Sequence, residues 1–175
     1  NVLNTQTGCA STASVSVGQN FAAPTALAAP GGILSCTVNS LVLDGTGSSA
    51  GANFTYNWTS PNGNILSGGT TLNPTVNAVG TYNLVVTNQN NGCSATASTT
   101  VSADASLPVA SAGAPDTLTC AVQQLVLDAT ASSQGANFNY AWTGPGLVLG
   151  GSSLTPTINA PGLYELLVTN TSNGC

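Results

Sequence analysis

The stretch FTYNWTS, residues 54–60, alternates aromatic and polar side chains and decides the fold. Side chains of an extended strand point to opposite faces in turn, so Phe54, Tyr56 and Trp58 share one face. The stretch therefore predicts a strand whose aromatic face is buried.

The same alternation recurs on both sides of this strand. In GTYNLVVTN, residues 80–88, the side chains of Tyr82, Leu84 and Val86 share a face, and SLVLDG at residues 40–45 aligns two leucines in the same way. About seven such short strands, separated by turns rich in Gly, Pro and Asn, are typical of a Greek-key β-sandwich. The chain is therefore predicted to be all-β, with tandem sandwiches.

The strands belong to an internal repeat of 84 residues, which shortens to 82 in its second part. The matching pairs are Cys36 and Cys120, Asp44 and Asp128, Trp58 and Trp142, Tyr82 and Tyr164, and Cys93 and Cys175. We expect residues 1–20 to be the last strand of a preceding repeat plus a linker. Residues 21–104 are predicted to form a complete sandwich, and residues 105–175 a second one that lacks its last strand. A longer continuous chain, which we favour, or strand donation by a neighbouring subunit would supply that strand.

The composition excludes several classes of partner. The chain of 175 residues has no Lys, Arg or His, five acidic residues and a net charge of -5. Nucleic-acid binding depends on basic residues that neutralise phosphate, and binding to anionic lipids depends on the same residues. No apolar run approaches the roughly 20 residues that span a bilayer. We therefore predict no nucleic-acid partner and no membrane insertion.

Catalysis lacks the necessary side chains. No His or Lys can act as a base, and no basic residue can hold an oxyanion. The available carboxylates are Asp44, Asp104, Asp116, Asp128 and Glu165. We predict no enzyme activity, no catalytic residue, no cofactor and no metal site. Calcium binding by Asp44 and Asp128 is the alternative to turn capping, which we favour because each site would have one carboxylate.

The cysteines occupy the same positions in both repeats. Such a pattern favours disulfides and an oxidising compartment over buried free thiols. We expect bonds from Cys36 to Cys93 and from Cys120 to Cys175, each joining the first and last strands of one sandwich. Cys9 would pair with a cysteine of an adjacent repeat or subunit.

Four aromatic residues are predicted core residues: Trp58, Trp142, Tyr82 and Tyr164. Each Trp lies on the third main strand, and each Tyr follows a Gly-x pair shortly before a V-T-N run. This placement resembles the buried Trp and the tyrosine corner of immunoglobulin-like sandwiches.

The series L-S/T-C, L-V-L-D, Y-x-W-T-x-P, G-x-Y, V-T-N and N-G-C extends the resemblance across the chain. It resembles the PKD-like and immunoglobulin-like tandem repeats of giant cell-surface proteins in Bacteroidota, including adhesins and gliding-motility proteins. The resemblance implies an extracellular module at the cell surface. Asp116-Thr117-Leu118 resembles the O-glycosylation acceptor of that phylum, which makes Thr117 a candidate glycan site; the ordinary start of a strand is the alternative.

Two hypotheses of function follow. In the first, the chain is a structural module of an adhesive surface fibre, stalk or filament, and its partners are adjacent repeats or subunits. In the second, its loops recognise glycans or the surface of a partner protein. The Pro- and Ala-rich linkers at residues 19–31 and 103–115 favour the first, because proline stiffens such segments. Sugar sites use exposed aromatics, whereas eight of the nine here, all but Phe21, follow the core pattern.

Overall fold

A computed structural model describes residues 2–175; Asn1, the first residue of the predicted tail 1–20, lies outside the described part. Those residues form strands joined by turns and loops, and none of them is helical, so the predicted all-β fold is confirmed. None therefore forms a helix long and apolar enough to cross a membrane. The strands are β1 (Val2–Leu3), β2 (Ala10–Ser11), β3 (Ile33–Ser35), β4 (Leu41–Val42), β5 (Phe54–Thr59), β6 (Ile65–Ser67), β7 (Thr75–Val76), β8 (Gly80–Asn88), β9 (Ser94–Asp104), β10 (Leu125–Val126), β11 (Phe138–Thr143), β12 (Leu147–Leu149), β13 (Thr157–Ile158) and β14 (Glu165–Asn170).

The first sandwich consists of two sheets. One sheet has the strand order β3-β9-β8-β5, and the other has the order β4-β7-β6. Most neighbours are antiparallel, with Trp58 of β5 opposite Leu84 of β8. The exception is the short strand β3, which runs parallel to the end of β9. That parallel pair places the first strand of the repeat beside the point where the chain leaves the sandwich.

The inward faces of the two sheets form one core. Tyr82, Leu84 and Val86 of β8 are fully buried and pack with Trp58 and with Val76 of the other sheet. The residues that face outward between them on β8 are only half-buried. The residues that alternate in the sequence of β8 therefore alternate between the core and the more exposed face of the sheet.

The polar atoms of the core aromatics have hydrogen-bond partners. The indole nitrogen of Trp58 donates to the carbonyl of Thr71 at 3.0 Å. The hydroxyl of Tyr82 donates to the carbonyl of Ala78, four residues upstream, at 2.7 Å. It also accepts from the backbone N–H of Asn64 at 3.1 Å. Burying these rings therefore leaves their polar atoms satisfied.

The second sandwich repeats these contacts with fewer strands. Its sheets have the orders β10-β13-β12 and β11-β14. Trp142 is buried and donates to the carbonyl of Ser153 at 2.9 Å, and Tyr164 donates to the carbonyl of Ala160 at 2.7 Å. Tyr164, however, is half-buried rather than a full core residue. The reason is that β14 pairs with β11 alone among the described strands, whereas its counterpart β8 is also covered by β9.

We expect the two tyrosine hydroxyls to differ in their contribution to stability. Tyr82→Phe should lower the free energy of unfolding of the first sandwich by about 1–3 kcal/mol, because a fully buried donor and acceptor lose their partner. Tyr164→Phe is the matched control and should cost less, because water reaches that site. Urea unfolding followed by the one remaining Trp, with the other replaced by Phe, measures each sandwich separately. Equal losses would contradict the different burial of the two residues.

Candidate functional site

One disulfide joins the two sandwiches. Cys36 is bonded to Cys175, with 5.0 Å between their Cα atoms and 139 positions between them in the sequence. The predicted pairings of Cys36 with Cys93 and of Cys120 with Cys175 are therefore wrong. In the chain-entropy model, closing so long a loop stabilises the folded chain by roughly 5 kcal/mol.

The direction of β3 explains why Cys36 does not pair within its own sandwich. Because β3 runs parallel to β9, Ser35 lies opposite Asp104 at the end of β9. Cys93 directly precedes Ser94 at the other end of this 11-residue strand. At about 3.3 Å per residue, the two cysteines are separated by roughly 40 Å along the sheet. A disulfide requires Cα atoms within about 7 Å.

Polar contacts surround the disulfide at the junction between the repeats. The side-chain amide of Asn173, which is buried, donates to a carboxylate oxygen of Asp104 and to the carbonyl of Ser106, both at 3.0 Å. Its own oxygen accepts from the backbone N–H of Cys175 at 3.1 Å. One side chain therefore links the cysteine turn of the second sandwich to the segment that leaves the first.

Gly174 has to be glycine for two reasons. Its φ of +72° is in the left-handed region, which other residues rarely adopt. A Cβ at this position would also collide with the side chain of Thr37, next to Cys36 in the first sandwich. The N-G-C turn is thus shaped to approach the neighbouring repeat closely.

The same amide contacts occur one repeat earlier. The side-chain amide of Asn91 donates to the side-chain oxygen of Asn20 at 3.2 Å and to the carbonyl of Ala22 at 3.0 Å. Asn91 matches Asn173, and the two acceptors match Asp104 and Ser106. Our sequence interpretation did not single out these asparagines. Their recurrence before both N-G-C cysteines is the signal that could have identified them.

The remaining cysteines are free thiols. Cys9 and Cys120 are exposed, and Cys93 is half-buried. Cys9 and Cys93 each follow a glycine in an N-G-C or T-G-C turn, and Cys120 lies in a turn after the position that corresponds to β3.

The two aspartates considered for calcium cap turns. A carboxylate oxygen of Asp44 accepts from the backbone N–H of Thr46 at 2.8 Å and from its hydroxyl at 2.6 Å. Asp128 makes the same two bonds to Thr130 at 2.9 and 2.6 Å. The threonine hydroxyl, followed by the backbone N–H, lowers the pKa of each carboxyl. Both carboxylates are therefore engaged by their own turns.

Other predicted sites lie apart from the junction. Thr117 is exposed, and its backbone N–H donates to the Asp116 carboxylate at 2.7 Å. Glu165 is exposed at the start of β14. Among residues 2–175, no three His, Cys, Asp or Glu side chains cluster as a group that could hold a metal ion.

Comparison with known proteins adds little to these observations. No protein-family model and no curated protein matches the chain. A solved structure of Dscam1 isoform 6.44, comprising the N-terminal four Ig domains, is similar at 14% sequence identity and a TM-score of 0.31. That match covers 90% of this chain, which spans 45% of the length of the Dscam1 structure. The fold assignment rests on the sheets of the chain itself.

We expect the Cys36–Cys175 bond in the oxidised protein. Peptic digestion without reductant, followed by mass spectrometry, should yield one linked pair of peptides containing these two cysteines, which reduction separates. A linked pair containing Cys36 and Cys93 would contradict the parallel register of β3 and β9.

Acid should weaken the junction through Asp104. The hydrogen bond from Asn173, followed by that from the Ser106 backbone, lowers the pKa of this carboxyl. A carboxyl with a lowered folded-state pKa stabilises the fold above its unfolded pKa, and the contribution is lost as the pH falls through the folded value. The NMR signals of the Asn173 side-chain amide should therefore shift over that acidic range.

Asp104→Asn is the matched control for this titration. The equivalent residue at the other junction is Asn20, whose amide oxygen already accepts the same hydrogen bond. The variant should retain the contact with Asn173 and lose the acid response. An unchanged acid response in Asp104→Asn would show that another group titrates.

Proposed function

We propose that the chain is a structural repeat module of an adhesive extracellular surface fibre, in which covalent bonds join successive repeats. The observation that carries this proposal is the disulfide from Cys36 in the first sandwich to Cys175 in the second. A bond between repeats contributes to a fibre under load, whereas a soluble binding domain gains only stability from it.

The disulfide provides a short path for tension. Force applied at the two chain ends reaches Cys36, crosses to Cys175 through the disulfide and continues to the other end. The segment between these residues, which contains most of both sandwiches, lies outside that path. Tension along the fibre would therefore not extend the segment between Cys36 and Cys175 while the disulfide is intact.

The recurrent junction supports the same function. Asn91 and Asn173 hold their linkers with matching pairs of hydrogen bonds. Matching contacts at successive junctions would give each repeat the same relation to its neighbour, which is the requirement for a regular array.

An extracellular location fits the chemistry of the chain. Disulfides persist in oxidising compartments outside the cytosol. The sequence resemblance to PKD-like and immunoglobulin-like repeats of giant Bacteroidota surface proteins supports the same location and suggests the adhesive role.

Recognition of glycans through loops has less support. Trp58, Trp142 and Tyr82 are buried, so these rings cannot stack on a sugar. Phe21 is the exposed aromatic residue in the linker, and one ring without a surrounding pocket makes a poor sugar site.

Single-molecule stretching tests the proposed mechanical role. With the chain held at its two ends, the oxidised protein should show no extension from the segment between Cys36 and Cys175. Reduction should release the segment between Cys36 and Cys175, which spans 139 positions, and add roughly 460–500 Å of extended chain.

Cys36→Ser without reductant should give the same added length, which separates loss of this bond from other effects of the reductant. Cys120→Ser is the matched control, because it removes a free exposed thiol from an equivalent turn and should leave the short extension unchanged. Full unfolding of both sandwiches in the oxidised wild-type chain would contradict the proposed function.

A further inference from the structure

The chain contains three Asn-Gly pairs, and the fold holds them in different ways. They are Asn62-Gly63 in the loop between β5 and β6, and Asn91-Gly92 and Asn173-Gly174 in the two N-G-C turns. Asparagine before glycine is especially prone to deamidation, because glycine has no Cβ to hinder attack by its backbone nitrogen. The three pairs share this local chemistry, so a difference in their reactivity in the folded chain comes from their surroundings.

Deamidation proceeds through a ring that the asparagine side chain has to turn to form. The backbone nitrogen of the glycine attacks the side-chain carbonyl carbon, loses its proton and closes a succinimide while ammonia leaves. Water then opens the ring at either carbonyl, which gives aspartate or isoaspartate. Water is consumed and ammonia is released, with no oxidation or reduction. The reaction therefore requires a side-chain amide that is free to move and accessible to water.

The amides of the two junction asparagines are not free to move. Each side-chain nitrogen donates two hydrogen bonds to the linker beside it, at 3.2 and 3.0 Å for Asn91 and at 3.0 Å for both bonds of Asn173. Each side-chain oxygen accepts from the cysteine N–H two residues later, at 3.0 and 3.1 Å. Asn91 is half-buried and Asn173 is buried. Both polar atoms of each amide are therefore bound to the protein.

The Asn62 side chain is held by its oxygen alone. That oxygen accepts from the backbone N–H of Thr81, near the start of β8, at 3.0 Å. Within the described part of the chain, the side-chain nitrogen has no hydrogen-bond partner, and the residue is exposed. The nitrogen that leaves as ammonia is thus in contact with water at Asn62, whereas it is bound to a linker in the other two pairs.

The glycine nitrogens do not account for a difference, because all three N–H groups donate a hydrogen bond. The N–H of Gly63 donates to the hydroxyl oxygen of Ser60 at 2.7 Å. The N–H groups of Gly92 and Gly174 each donate to the carbonyl of the asparagine four residues upstream, at 2.8 Å. What distinguishes the pairs is therefore the asparagine side chain and its contact with the linker.

We propose that Asn62 is the deamidation site of the folded chain, and that the linkers protect Asn91 and Asn173 from the same reaction. The inference rests on the hydrogen bonds and burial of the three side chains. It holds whether or not the chain is part of a fibre.

The products of the reaction have different consequences at the three pairs. An aspartate at position 62 keeps an oxygen that accepts from the Thr81 N–H. A carboxylate at position 91 cannot donate to the oxygens of Asn20 and Ala22. One at position 173 would face the carboxylate of Asp104. Protection of the two junction amides therefore preserves the contacts between repeat and linker.

Ageing of the full oxidised chain in mildly alkaline buffer, followed by peptide mapping, tests the assignment. The mass increase of deamidation and the separation of aspartate from isoaspartate peptides identify the site. In the folded chain, Asn62 should react first. Asn91 and Asn173 should react at least about tenfold more slowly, because two hydrogen bonds to the linker have to open before the amide can turn. In guanidinium chloride the three pairs should react at similar rates, which provides the reference.

Substitutions of Asn20 test whether the linker contact gives the protection. Asn20→Ala removes one of the two acceptors of the Asn91 amide and should speed deamidation of Asn91 about fivefold. Asn20→Asp is the matched control, because Asp104 accepts the same bond at the other junction, and it should leave the rate unchanged. The rate at Asn173 should stay the same in both variants, which shows that the second sandwich and its junction remain folded.

Three results would overturn the inference. Equal rates at the three pairs in the folded chain would show that the fold does not select Asn62. Rates at Asn91 and Asn173 that match those in guanidinium chloride would show that neither amide is protected. An Asn20→Ala variant whose Asn91 reacts as slowly as in the wild-type chain would show that the linker contact is not the source of the protection.

Discussion

The parallel pairing of β3 with the end of β9 is the constraint on which the junction depends. It brings the first strand of the repeat to the end of the sandwich where the chain departs, with Ser35 opposite Asp104. Cys36 therefore faces the following repeat and lies far from Cys93. Cys36 and the start of the linker at Asp104 lie at the same end of the first sandwich. The N-G-C turn of the second sandwich therefore contacts both of them.

The sequence was sufficient to predict the all-β fold, but it was insufficient to predict which cysteines are bonded at the junction between the sandwiches. Alternation in FTYNWTS predicts which rings are buried, because a strand has a fixed period of two. The spacing of cysteines contains no information about strand direction, and an antiparallel neighbour would have brought Cys36 near Cys93. Tyr164 has the same local sequence as Tyr82 but is half-buried, because burial also depends on a neighbouring strand that local alternation does not specify.

The junction is built without a basic residue. Ion pairs are unavailable to a chain with no Lys, Arg or His, so the amides of Asn91 and Asn173 supply the donors. Their acceptors differ, since one is the neutral Asn20 and the other the ionisable Asp104. In water either kind of hydrogen bond makes only a modest net contribution to stability. At the Asn173 junction the covalent bond between Cys36 and Cys175 adds to these contacts.

The disulfide between the two sandwiches closes a loop that contains the linker between them. A peptide bond cleaved in the linker at residues 103–115 would leave the two sides connected through that disulfide. The linker is exposed and Pro-rich, and such segments are common sites of proteolytic cleavage. The disulfide between the two repeats therefore keeps both sides of the exposed linker connected, which a bond within each sandwich could not do.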